Sequence, residues 1–168
     1  FKNVVAAIII VTVPRLSALS NKTNKDESMK LMKTIFNVVL FLVLPLCLLC
    51  GLLSKEIILF LAGKKYIKAV GALAILSISL CFSSLASFMT TSVLLPNGKE
   101  KAILKASIIS AGTNFLLNFI MIPKFSYIGA AITTMIAELI MFIVSYASAK
   151  DYIDLSTMKS GILKCVIS

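Results

Sequence analysis

Long apolar runs separated by short lysine-bearing turns set the pattern of this chain. The clearest are residues 103–122 and 128–149, joined by Pro123-Lys124-Phe125-Ser126 and preceded by the polar turn Pro96-Asn97-Gly98-Lys99-Glu100-Lys101. At about 1.5 Å per residue, a run of about 20 residues makes a helix of roughly 30 Å, the thickness of a bilayer's hydrocarbon core. The two runs therefore predict a transmembrane helical hairpin. Residues 34–53 and 69–95 predict two further spans. The first carries Pro45, which removes a backbone hydrogen bond and predicts a kink. The second is rich in Ser and Thr. Residues 4–13 are apolar but stop at Pro14-Arg15, as the end of another helix would. Residues 17–33 are polar and predict a loop that becomes an amphipathic lead-in from about Asp26. Residues 54–68 hold an apolar stretch too short to cross, so they predict an element lying at the interface or capping the bundle.

Composition fixes the class. The chain is 59% hydrophobic and only 14% charged, where a soluble domain carries about 25% charge, and the charges gather between the runs. The predicted fold class is all-α: a polytopic transmembrane helix bundle with about five spans, forming one partial domain over residues 1–168. Continuous runs without period-two alternation argue against a β-barrel. The net charge of +10 would suggest nucleic acid in a soluble protein. Here the bases flank the spans and read as loops facing membrane lipids, with no nucleic-acid partner.

Alternate loops over 15–33, 99–105 and 150–164 hold 11 of the 17 Lys and Arg, against 6 in the opposing set. That excess places the first set on the cytoplasmic side. There is no His. The C-x-x-C of Cys47 and Cys50 lies inside PLCLLCGLL, where a redox or zinc motif would lack solvent and further ligands. Neither a metal nor a cofactor is predicted. The opening at Phe1 within an apolar run, and the apolar onset at 161–168, predict an internal piece of a longer protein.

Polar residues inside apolar walls are the functional candidates. At 100° per residue, Ser107, Ala111, Asn114 and Asn118 fall within about 80° of one another. Ala131, Thr134, Glu138 and Ser145 form a similar stripe on the last run, and Ser79, Ser83, Ala86 and Thr90 another on the Ser/Thr-rich span. Small and polar faces like these turn towards protein or water. Helix packing alone would explain the hydroxyls, while two amides one turn apart exceed what packing requires. Glu138 sits about ten residues from either end of its helix, where a carboxylate must be protonated, paired or facing a wet cavity. It is a candidate for ion or proton coupling. Arg15, the single arginine, has a planar fork suited to a phosphate. No paired carboxylates, phosphate loop or nucleophile–base pair suggests an enzyme.

The segments VTVPRLSALS, LPLCLLCGLLSKEIILFLAGKKYIKAV and SVLLPNGKEKAILKASIISAGTNFLLNFIMIPKFSYIGAAITTMIAELI together resemble the polysaccharide-transport branch of the multidrug/oligosaccharidyl-lipid/polysaccharide (MOP) exporters, the O-antigen and capsule flippases. The most specific part is Asn114-x3-Asn118-x4-Pro123-x5-Gly129-Ala130-Ala131, with Glu138 downstream. The resemblance covers nearly the whole chain. It implies most of the second, MATE-like bundle of a two-bundle transporter in the bacterial cytoplasmic membrane, with the first bundle as its partner in the same chain. The implied activity is alternating-access transfer of an undecaprenyl-diphosphate-linked oligosaccharide across that membrane.

Asn114, Asn118, Ser83 and Arg15 are then candidates for the cavity wall, and Pro45, Pro123 and Gly129 for hinges. Two departures stand out. Ser126 occupies a position where the family usually has Gly, and no Lys or Arg lies deep within a span. The alternatives are a drug or cation antiporter of the same superfamily, a membrane-embedded transferase and a non-transporting scaffold.

Overall fold

The computed structural model describes residues 25–152, and among these no strand is present. Helix α1 (Lys25–Leu52) leads directly into the short α2 (Ser54–Leu61) and a 3-10 turn, Lys64–Ala69. Helix α3 (Val70–Phe88) continues through a π-helical turn, Met89–Leu94. Helix α4 (Glu100–Ala149) follows, and a last 3-10 turn, Lys150–Tyr152, ends the described chain. Three stretches are long and apolar enough to cross a membrane: Met29–Leu52, Lys64–Leu94 and Glu100–Ala149.

The third stretch is two spans rather than one. At Ser126 the backbone takes φ 52° and ψ −130° and reverses the chain. The Ser110 hydroxyl then reaches the Ala137 carbonyl at 2.7 Å, 27 residues along the chain. In a straight helix those residues would be about 40 Å apart. α4 is therefore the hairpin the sequence predicts, with legs over 100–125 and 127–149.

The legs approach closely just inside the reversal. A Cβ on Gly129 would stand 2.4 Å from the Met121 carbonyl oxygen, so only glycine allows this approach. Gly129 was expected as a hinge; its observed place is a close backbone contact between the legs. Pro123 is exposed near the end of the first leg, and α1 runs on through an exposed Pro45.

α1 and α3 pack antiparallel. The Phe36 and Phe88 rings meet at 5.2 Å, and Gly51 near the other end of α1 faces the Ser77 hydroxyl. The core around them is Ile35, Phe36, Val39, Leu40, Val43, Phe88, Met89, Val93, Leu94 and Ala149, with Cys47 and Cys81 packed against it. Those thiols are free, as is Cys50, and they fill space as small apolar groups. The last cysteine, Cys165, lies outside the described residues.

Several hydroxyls of α3 and its π-helical turn bond within the helix. Ser77 bonds to the Ala74 carbonyl, Ser84 to that of Leu80, and Thr90 to those of Ala86 and Ser87. Such back-bonding lets polar residues survive in hydrocarbon. A π-helical turn loosens the backbone ladder. Here the Thr90 bonds guard its entry, and the Asn97 amide caps the Val93 carbonyl at 2.7 Å.

At that end of the bundle the Lys99 ammonium lies over the Tyr152 ring, 5.7 Å from its centroid. The start of α1, the 95–99 turn and Tyr152 thus share one end. α2, the Lys64–Ala69 turn and the Ser126 reversal share the other. For the described residues this is the separation of basic loops that the sequence predicts.

Candidate functional site

The polar residues of the α4 hairpin converge on a seam between its legs. Asn118 donates through Nδ2 to Oδ1 of Asn114, one turn earlier, at 2.6 Å. Its own Oδ1 accepts the Thr133 hydroxyl from the returning leg. Thr133 also lies 2.9 Å from the Ala130 carbonyl, and Thr134 donates to that same carbonyl at 2.9 Å. With one proton to give, Thr133 shares it between the side-chain and backbone oxygens. One turn before Asn114, the Ser110 bond to Ala137 extends the seam. Glu138 follows Ala137, half-buried at the middle of the returning leg.

The geometry explains why these residue types occur together. An amide or hydroxyl in hydrocarbon is costly unless bonded. Each residue of the seam bonds to at least one other. Asn118 is central, because an amide both donates and accepts and so links a neighbour on its own helix to one across the hairpin. Among the described residues, the amide N–H groups of Asn114 have no acceptor. They are open donors on a half-buried side chain.

The expected sites fare differently. Asn114 and Asn118 come together as predicted. Ser107 and Ala111, placed on the same stripe, are exposed. Ser110 takes their place, and its four-residue spacing from Asn114 is a signal the sequence carries. Thr133 was also missed, because choosing between it and Thr134 requires the register of the hairpin.

The stripe Ser79, Ser83, Ala86 and Thr90 is buried throughout. Ser83 is among three buried serine hydroxyls, with Ser92 and Ser145, that have no hydrogen-bond partner among the described residues, so no hydrogen bond ties Ser83 to the asparagines. Arg15 lies outside the described residues. Among those described, no group of three or more His, Cys, Asp or Glu is placed to hold a metal. The seam offers neutral oxygens and amide N–H groups, suited to hydroxyls or phosphate oxygens rather than to a transition metal.

Comparison with known proteins agrees with this architecture. The chain is 34% identical over 133 residues to the uncharacterized membrane protein MJ1068 of Methanocaldococcus jannaschii, covering 79% of this chain and 26% of that one. It is 29% identical over 136 residues to the capsular polysaccharide biosynthesis protein CapF of Staphylococcus aureus, covering 81% of this chain and 34% of that one. The chain thus spans about a quarter to a third of the length of these curated relatives. No solved structure matches it. The family model for the lipid II flippase MurJ matches residues 4–167. The expected likeness to flippases therefore holds at the level of a flippase-type family. With a match across nearly its whole length, the chain belongs to the MurJ family of lipid II flippases.

Proposed function

We propose that this chain forms part of a transporter that moves an undecaprenyl-diphosphate-linked oligosaccharide from the inner to the outer leaflet of the bacterial cytoplasmic membrane. The observation that carries the reading is the Asn114–Asn118–Thr133 seam in a chain of the MurJ family. It places open amide donors inside an apolar span, where a passing sugar or phosphate oxygen would find a partner that lipid cannot offer. The likeness to a capsular polysaccharide biosynthesis protein supports the same class of cargo.

The mechanism is rocking of one helical bundle against another around a polar cavity. Ser83 and Arg15 complete the cavity wall, Pro45 and Pro123 supply bending points, and Glu138 couples the motion to an ion or proton gradient. The site for the diphosphate is Arg15 or lies in another bundle of the same protein.

Deleting the gene and analysing the extracted lipids tests this reading. The expected result is undecaprenyl-linked oligosaccharide accumulating on the cytoplasmic face, reversed by the wild-type gene. An unchanged lipid profile with new sensitivity to cationic dyes would replace it with drug export.

A further inference from the structure

The connection between α1 and α3 carries lysines and exposed apolar side chains side by side. Lys55, Lys64, Lys65 and Lys68 are all exposed, with Glu56 as the single acid. Phe60 is 90% and Leu61 75% exposed at the end of α2, and Tyr66 and Ile67 stand exposed within the lysine turn. Leu52 and Leu53 add to the apolar side. Gly63, at φ 78°, takes a backbone conformation that side chains disfavour and separates α2 from the turn that holds the lysines.

The position suits a membrane interface. α2 has eight residues, about 12 Å of helix, and cannot cross. It lies between the end of one span and the start of the next. Aromatic and lysine side chains are favoured at that level, the rings at the headgroups and the ammonium groups reaching into water. The segment is also at the bundle end opposite the more basic set of loops. Four lysines gathered there run against the charge bias of the chain, and beside the exposed apolar side chains they complement an anionic headgroup surface.

We propose that Ser54–Leu61 and Lys64–Ala69 form a docking surface for anionic phospholipid headgroups. Phe60, Leu61 and Ile67 enter the acyl boundary, and Lys64, Lys65 and Lys68 hold the phosphates. This assignment rests on charge complementarity and exposed apolar area, and is independent of which cargo the protein carries. Each lysine near an anionic surface strengthens attachment by roughly fivefold.

The test is native mass spectrometry of the protein as its gene encodes it, titrated separately with phosphatidylglycerol, phosphatidylcholine and undecaprenyl diphosphate. The variant is Lys64→Gln/Lys65→Gln/Lys68→Gln. Its charge-matched control at the other end is Lys101→Gln/Lys105→Gln/Lys150→Gln. All six lysines are exposed, so both variants should fold. The expected result is phosphatidylglycerol binding weakened about tenfold or more in the first variant and about twofold or less in the control, with phosphatidylcholine unaffected in both. Equal weakening in the two variants would overturn the proposal, since net charge and not this surface would be responsible. So would unchanged phosphatidylglycerol binding, including the case where only undecaprenyl diphosphate is lost and the surface serves the cargo.

Discussion

The Thr133 hydroxyl donates to Oδ1 of Asn118 across the α4 hairpin, about two helical turns in from the reversal at Ser126. With the Ser110 bond to the Ala137 carbonyl it joins the two legs, and Asn118 extends the link to Asn114 on its other side. Bonds of this kind between helices in a bilayer contribute about 0.6 kcal/mol, and up to about 1.7 kcal/mol. Thr133→Val and Asn118→Leu, alone and combined, should show a coupling of about 0.5–1 kcal/mol in reversible detergent unfolding. Strict additivity would mean the bond contributes nothing.

Gly129 holds the legs together by lacking a side chain. With the Met121 carbonyl oxygen 2.4 Å from where a Cβ would stand, Gly129→Ala must push backbone apart. A loss of about 1–3 kcal/mol is expected, in the range of other overpacking changes. Thermal unfolding in detergent reads it directly, and Gly112→Ala, where an added Cβ meets nothing within 4 Å, serves as the tolerated control.

Ser126 is the one non-glycine residue among those described with positive φ. Its angles are those of a tight-turn position that glycine dominates. Strained backbone of this sort costs about 1–3 kcal/mol, partly offset in a glycine variant by extra freedom in the unfolded chain. Ser126→Gly should therefore stabilise the protein by about 0.5–1 kcal/mol, and Ser126→Val should destabilise it, both read as shifts in unfolding midpoint.

The buried hydroxyls without partners separate packing from transport. Ser145 is fully enclosed, and removing an unbonded buried hydroxyl relieves an unmet polar group. Ser145→Ala should leave stability unchanged or raise it by up to about 1 kcal/mol, with transport intact. Ser83→Ala should leave stability equally unharmed and slow lipid flipping, if Ser83 faces the cargo path. Equal transport in both variants would remove Ser83 from the cavity wall.

The hairpin was legible in the sequence because its two signals are local. An apolar run of the right length predicts a span, and a proline followed by polar residues predicts the turn between two. The Ser/Thr stripe on α3 was legible for the same reason: Ser79, Ser83, Ala86 and Thr90 share a face by spacing alone and are all buried. Ser110 and Thr133 were not read. Ser110 stands four residues before Asn114, a spacing the sequence does show, but the role of Thr133 depends on how one leg is offset against the other, which the contact of Gly129 with Met121 fixes and no spacing within a single helix reveals. The unusual place of Ser126 could be read as a departure from a glycine position, but its cause, a positive φ, needed the folded chain.

Asn118→Ala tests the central claim most directly. It removes the residue that links the legs and orients the open donors of Asn114. The measurement is the share of lipid-linked oligosaccharide exposed on the outer leaflet, in cells carrying the variant in place of the wild-type gene at matched membrane abundance. The account predicts retention of the precursor on the cytoplasmic face at normal protein level. A wild-type share on the outer leaflet would show that cargo passes without this seam and would contradict it.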